Sequence, residues 1–150
     1  MLNPAVKWQS NVVITGERVI PVDNYLDTTQ SLKMEVIFKL NHCETKYGQN
    51  CVIIGGSPHL GSWDPDSAPI MSSEETYPKW ELKNRLVIES LEEASHIEYK
   101  YIIKGSKNNW EDGDNRVIDL SRYYESGQAV VVVEDQRFNE TEEVKIYPEG

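Results

Sequence analysis

Apolar residues recur at every second position in several short stretches of the chain, the period of a strand with one buried face. Met34, Val36, Phe38 and Leu40 alternate with Glu35, Ile37, Lys39 and Asn41, which predicts a half-buried strand. Cys51-Val52-Ile53-Ile54 follows a polar stretch containing Tyr47-Gly48-Gln49-Asn50. Its unbroken apolar character predicts a more central strand, paired with the first as its neighbour. Trp80, Leu82, Leu86 and Ile88 continue the alternation, with Asn84 the one polar residue on the apolar side, so a third, bulged strand is expected there. Ile97, Tyr99, Tyr101 and Ile103 form a fourth apolar face with Lys100 opposite, and the two tyrosines are expected to pack with their hydroxyls near the sheet edge. Residues 116–120 and 129–134 supply two more short runs, the second with four consecutive valines, whose branched side chains favour strand over helix. No long amphipathic helix competes. Strands separated by Gly, Pro, Asn and Ser predict an all-β fold, a β-sandwich rather than a parallel α/β sheet.

A chain of 150 residues is the size of one domain. Residues 33–135 carry the regular alternation and are assigned to the sandwich. Residues 1–32 form an N-terminal extension in which the β-like run at 12–20 reads as a hairpin packed on the domain. Residues 136–150 are acidic without a sustained period and read as a C-terminal extension or linker. The composition, 39% hydrophobic and 27% charged, is that of a folded domain and excludes disordered and low-complexity classes. The net charge of -10 repels phosphates and anionic lipid, so no nucleic-acid or membrane partner is expected and a neutral ligand suits the chain better. With no long apolar run and no basic, apolar start of a secretory signal, the chain is expected to be cytoplasmic. Cys43 and Cys51 are then expected as reduced thiols, although they could meet across a hairpin. The glycosylation sequon at Asn139-Glu140-Thr141 reads as coincidental for the same reason.

Candidate chemistry sits in the loops. Residues 55–65, Gly-Gly-Ser-Pro-His-Leu-Gly-Ser-Trp-Asp-Pro, place the Trp63 ring in a Gly/Pro-rich loop directly after a strand. Glu98-Tyr99-Lys100-Tyr101 puts one basic side chain on a strand, and Trp110-Glu111-Asp112-Gly113-Asp114-Asn115-Arg116 puts a second tryptophan in a polar loop. In this order, over about residues 33–135, these segments resemble the starch-binding domain, carbohydrate-binding module family 20, with its Leu-Gly-x-Trp turn, Glu-Tyr-Lys strand and Trp-Glu…Asn-Arg segment. The resemblance implies an antiparallel β-sandwich of immunoglobulin-like architecture that binds α-1,4-linked glucan at up to two sites. It implies that Trp63 and Trp110 stack on glucose at the first site while Lys100, Glu111 and Asn115 contact hydroxyls. It matches Tyr47 to one tyrosine of the second site; Tyr77 lies in the region of the other, closer to the next strand than is usual in the family. The physics agrees, because a pyranose has an apolar C–H face for an indole to cover and a polar rim for side chains to read.

The other conspicuous residues have plainer readings. Trp80 starts an apolar face and is expected in the core, Trp8 pins the N-terminal extension, and Arg116 braces its turn. His42, His59 and His96 lack the spacing of a metal site, and residues 111–114 lack the full pattern of a calcium loop, so neither metal nor cofactor is expected. Function is therefore read as a non-catalytic module that binds starch, amylopectin or glycogen, and maltooligosaccharides or cyclodextrin in solution. It would target an attached or associated glucan-active enzyme to the polymer. A hydrolase needs two carboxyls across a cleft, and the acids here lack a scaffold beyond the sandwich. The alternative is a sandwich that has lost sugar binding and contacts proteins instead; it would not need both Trp63 and Trp110 exposed on one surface.

Overall fold

The computed structural model describes residues 33–149; the hairpin expected at 12–20, and Trp8, lie outside the described residues. Among the described residues, nine strands form two sheets: β1 (Met34–Leu40), β2 (Asn50–Gly55), β3 (Trp80–Glu81), β4 (Leu86–Ile88), β5 (Ile97–Lys104), β6 (Asn108–Trp110), β7 (Arg116–Ile118), β8 (Val130–Arg137) and β9 (Glu140–Pro148). One sheet runs β3-β1-β8-β9, with β4 also on β1, and the other runs β2-β5-β6, with β7 also on β5. Short helices α1 (Leu91–Ser95) and α2 (Ser121–Glu125) occupy connections.

The period-two faces become the interior of the sandwich. Met34, Val36, Phe38 and Leu40 from one sheet meet Ile53, Tyr99, Tyr101 and Ile103 from the other in a single buried cluster. Phe38 and Tyr99 pack edge to face across it at 5.0 Å, a geometry that suits the aromatic quadrupole. Trp80 is in the core as expected, its indole N–H donating to the Cys43 carbonyl at 2.9 Å. Cys43 and Cys51 are buried free thiols.

Several finer expectations are corrected. Strands β1 and β2 are not neighbours: β1 pairs with β3, β4 and β8, whereas β2 pairs with β5. The chain between them crosses from one sheet to the other, which alternation along each strand cannot reveal. The antiparallel β-sandwich itself is as expected, with one parallel pair, β1 and β8, in which Ile37 lies opposite Val132. The expected bulged strand at 80–88 is two strands at opposite ends of β1, with Leu40 opposite Trp80 and Met34 opposite Ile88. Lys83, Asn84 and Arg85 turn out to solvent between them, while Leu82 stays buried. Residues 140–148 are no linker but β9, an edge strand antiparallel to β8. Only Val144 and Ile146 give that strand an aliphatic side, too short a signal to register as a period.

The tyrosine hydroxyls point inward rather than to the edge. Tyr99 and Tyr101 are fully buried and donate to one oxygen of Asp135 at 2.8 and 2.7 Å. Arg116, also buried, meets the other Asp135 oxygen at 3.0 Å, so the carboxylate is compensated where an unpaired charge would be costly. Burial pushes the Asp135 carboxyl above its ordinary value, opposed by the Arg116 charge and the tyrosine hydroxyls.

Candidate functional site

Directly paired residues of neighbouring strands share a sheet face. Val52 lies opposite Ile102, Ile102 opposite Trp110, and Ile54 opposite Lys100. These five therefore line the outer face of the β2-β5-β6 sheet, while Ile53 and Tyr101 point into the core. Val52, Ile54, Ala68 and Ile102 form a second small buried cluster on that outer face, and Trp63 packs against it. Trp63, in the loop after β2, and Trp110, at the end of β6, thus both belong to the outer face of this sheet. Strand spacing sets β2 and β6 about 10 Å apart.

The Trp63 loop is built to hold an indole at this position. Leu60, in a short 3-10 helix (Pro58–Leu60), is buried as an anchor, and the Ser57 hydroxyl caps the helix by accepting from His59 N at 3.1 Å. Gly61 then turns at φ 89°, and a methyl group there would lie 2.9 Å from Ala68 N, so only glycine fits. Ser62 and Trp63 follow at φ 50° and 64°. Such left-handed residues cost about 1–3 kcal/mol each and persist where surrounding structure enforces them. Here Trp63 N donates to the Gly55 carbonyl at 2.9 Å and Ser62 N to that of Ser57 at 3.1 Å. The ring edge rests on Gly56, where an added methyl would approach the indole nitrogen to 3.3 Å. Beside the ring opens a cavity of about 300 Å³ lined in part by Leu86, His96 and Glu98.

Trp110 ends β6 and is 37% exposed. The loop that follows is tied down from beneath. Lys100, 9% exposed, donates from Nζ to the carbonyls of Glu111 at 2.8 Å and Gly113 at 2.5 Å, leaving one of its three ammonium donors for another partner. Glu111 corrects the sequence reading. Its carboxylate is buried, 3% exposed, and grips Arg116 in two hydrogen bonds of 2.9 and 2.6 Å. It also accepts from Tyr101 N at 3.0 Å and Asn139 N at 2.8 Å. No edge remains for a sugar hydroxyl, so the Glu111 side chain supports the site from below rather than touching a ligand. Arg116 braces the turn as expected. Burial alone would lower its guanidinium, but the Glu111 hydrogen bonds and the Asp135 and Glu111 charges raise it above its usual value.

Asn115 is exposed on the same loop and donates to Glu98 Oε1 at 3.0 Å; the other Glu98 oxygen lies 2.6 Å from His96 Nε2. The Asn115 amide, and next His96, hold the Glu98 carboxyl below the usual glutamate range. Glu98 was not singled out from sequence, although alternation from Lys100 puts it on the outer face, beside Trp63. Asn139, also missed, accepts from Asp112 N at 2.9 Å.

Tyr47 is fully exposed at a tight turn in which Gly48 adopts φ 85°. Tyr77 is 49% exposed, and its hydroxyl bridges the N–H and carbonyl of Thr45 at 2.9 and 3.1 Å. The two tyrosine loops are thus bonded together. Among the described residues, no group of three or more His, Cys, Asp or Glu side chains could hold a metal ion, and no helix is long and apolar enough to cross a membrane.

Comparison with known proteins gives the context of this surface. The family described as "Starch binding domain" matches residues 33–133. A thermophilic β-amylase of Thermoanaerobacterium thermosulfurigenes is 31% identical over 113 residues, 71% of this chain and 20% of that protein. A cyclomaltodextrin glucanotransferase of Bacillus sp. (strain 1-1) is 30% identical over 114 residues, 73% of this chain and 16% of that protein. The chain therefore spans a fifth or less of these relatives. Among solved structures, a family 15 glucoamylase from Hypocrea jecorina superposes with a TM-score of 0.57 at 22% identity, covering 73% of this chain and 18% of that one. A γ-cyclodextrin glucanotransferase from alkalophilic Bacillus clarkii gives 0.54 at 24% identity, covering 71% and 15%. These two likenesses show the fold.

Proposed function

The chain belongs to the starch-binding domain family, and from that premise we propose that it holds α-1,4-linked glucan on the outer face of the β2-β5-β6 sheet, with Trp63 and Trp110 as stacking platforms. The supporting observation is that the two indoles share one face: Trp63 packs on the outer cluster containing Ile102, and Trp110 lies directly across from Ile102. Asn115 and the remaining Lys100 donor read sugar hydroxyls beside the rings. Burying about 50 Å² of apolar surface per ring contributes about 1 kcal/mol apiece, and hydrogen bonds to the sugar hydroxyls must add at least as much again for single-site affinity to reach the millimolar range. Tyr47 and Tyr77 form a second, independent glucan contact, and simultaneous engagement of a long polymer raises avidity without new contacts.

The chain works as a binding module, not as a glucan-cleaving enzyme. A glycosidase acid needs a raised pKa and a second carboxyl nearby. Glu98, beside Trp63, is instead held low by Asn115 and His96, and Glu111 is locked on Arg116. Within a longer protein or an assembly, such a module tethers a glucan-active partner to its polymer. Calorimetric titration with β-cyclodextrin tests the reading. Saturable binding with a change in tryptophan fluorescence, and no reducing-sugar release from soluble starch, is expected; no binding at millimolar ligand would refute it.

A further inference from the structure

The β8–β9 hairpin extends past residue 133, where the family match ends, and its turn reaches back to the loop that carries Trp110. The turn consists of Phe138 and Asn139, between the paired Arg137 and Glu140. Phe138 packs against the core and its N–H donates to the His42 carbonyl at 3.0 Å, which fixes the turn in place. Asn139 adopts φ 71°, the left-handed region that asparagine enters more readily than most residues. In that conformation its N–H reaches Glu111 Oε2 at 2.8 Å and its Oδ1 accepts from Asp112 N at 2.9 Å. The Arg137 carbonyl accepts from Arg116 Nη2 at 2.9 Å.

Glu111 and Asp112 are the two residues that follow Trp110. The loop is therefore held on two sides, by Lys100 from the sheet and by the hairpin turn from outside. The bond from Asp112 to Asn139 joins two exposed residues, so it contributes little to the folded core, but it fixes the backbone two residues from the indole. We propose that Asn139 is a positioning residue for glucan binding: the β8–β9 turn clamps the Trp110 loop so that the ring is preorganised for stacking. This rests on the reading of Trp110 as a glucose platform. A platform that must be ordered on binding loses affinity by the ordering cost.

Asn139→Gly isolates the clamp, because glycine keeps the left-handed turn and the N–H to Glu111 while removing the acceptor for Asp112. Expected is a loss of β-cyclodextrin affinity of about five-fold with an almost unchanged unfolding midpoint, and near-native affinity in Asn139→Asp, which keeps the acceptor. In a Trp110→Ala background Asn139→Gly should have no further effect on binding. Native affinity in Asn139→Gly, or a loss that adds fully to that of Trp110→Ala, overturns the clamp. Failure of the platform reading looks different: native affinity in Trp110→Ala, or no binding by the native chain. In that event amide hydrogen exchange of the free protein decides the positioning itself, since Asp112 N–H should exchange faster in Asn139→Gly than in the native chain; unchanged exchange overturns it.

Discussion

Trp63 and Trp110 share a proposed role but not a structural one, and their alanine variants should separate the two. A tryptophan side chain presents about 200 Å². Trp63 is half-buried against Val52, Ile54, Ala68 and Ile102, so Trp63→Ala removes about 100 Å² of packing, or about 2.5 kcal/mol of stability. Trp110 ends a three-residue strand, is exposed, and meets Ile102 as a cross-strand partner. Its truncation should cost about 0.2–1 kcal/mol, the range of one cross-strand pair. For binding the two should be closer, each variant losing one stacking contact of about 1 kcal/mol, about five-fold in Kd. Urea unfolding at neutral pH reads the first quantity and calorimetric titration with β-cyclodextrin, below the unfolding transition, reads the second. The reasoning is refuted if Trp110→Ala destabilises the fold as much as Trp63→Ala, which would make it a core residue. It is equally refuted if a folded Trp110→Ala chain binds like the native one.

Three further outcomes follow from the network and the loops. Arg116→Met strands the buried Glu111 and Asp135 carboxylates and should cost about 3–5 kcal/mol in urea unfolding; a loss under 1 kcal/mol would mean the pair is not desolvated as the structure shows. Because Asn115 and His96 lower the Glu98 pKa in the folded chain, the stability Glu98 supplies is complete above the ordinary glutamate value of about 4.3 and is lost as pH falls through its lower folded value. Asn115→Ala, which removes the larger cause, should raise the Glu98 pKa towards the ordinary value in an NMR titration, and an unmoved titration would deny the contact. Tyr47→Ala should leave the unfolding midpoint within about 0.5 kcal/mol of native, as for an exposed site, while reducing calorimetric stoichiometry from two cyclodextrins to one; an unchanged stoichiometry would remove Tyr47 from the second site.

The alternating apolar faces were legible because burial on one side of a strand imposes a period of two, and every residue expected inward on β1 is inward. Sheet partners were not legible in the same way. Alternation fixes which face a residue takes but not which strand lies beside it, so β1 was matched to β2 when its neighbours are β3, β4 and β8. The same division runs through the site. The period on β5 correctly put Lys100 opposite Tyr99 and Tyr101, and the Gly/Pro-rich loop correctly kept Trp63 from full burial. Whether a polar group on the chosen face ends in solvent or on another part of the chain depends on contacts distant in sequence. Glu111 illustrates this: its partners Tyr101, Arg116 and Asn139 converge from β5, β7 and the β8–β9 turn. A carboxylate beside an exposed tryptophan has the chemistry to contact a hydroxyl, and only the arrival of Arg116 converts it into a support. The residues of this surface thus divide by whether their hydrogen-bonding capacity is already used. Glu111 is spent on the fold, Lys100 keeps one donor, and the two indoles, whose ring faces need no hydrogen-bond partner, keep their stacking capacity. On the proposed function, such a surface draws its affinity for glucan from the rings and its geometry from the network beneath them.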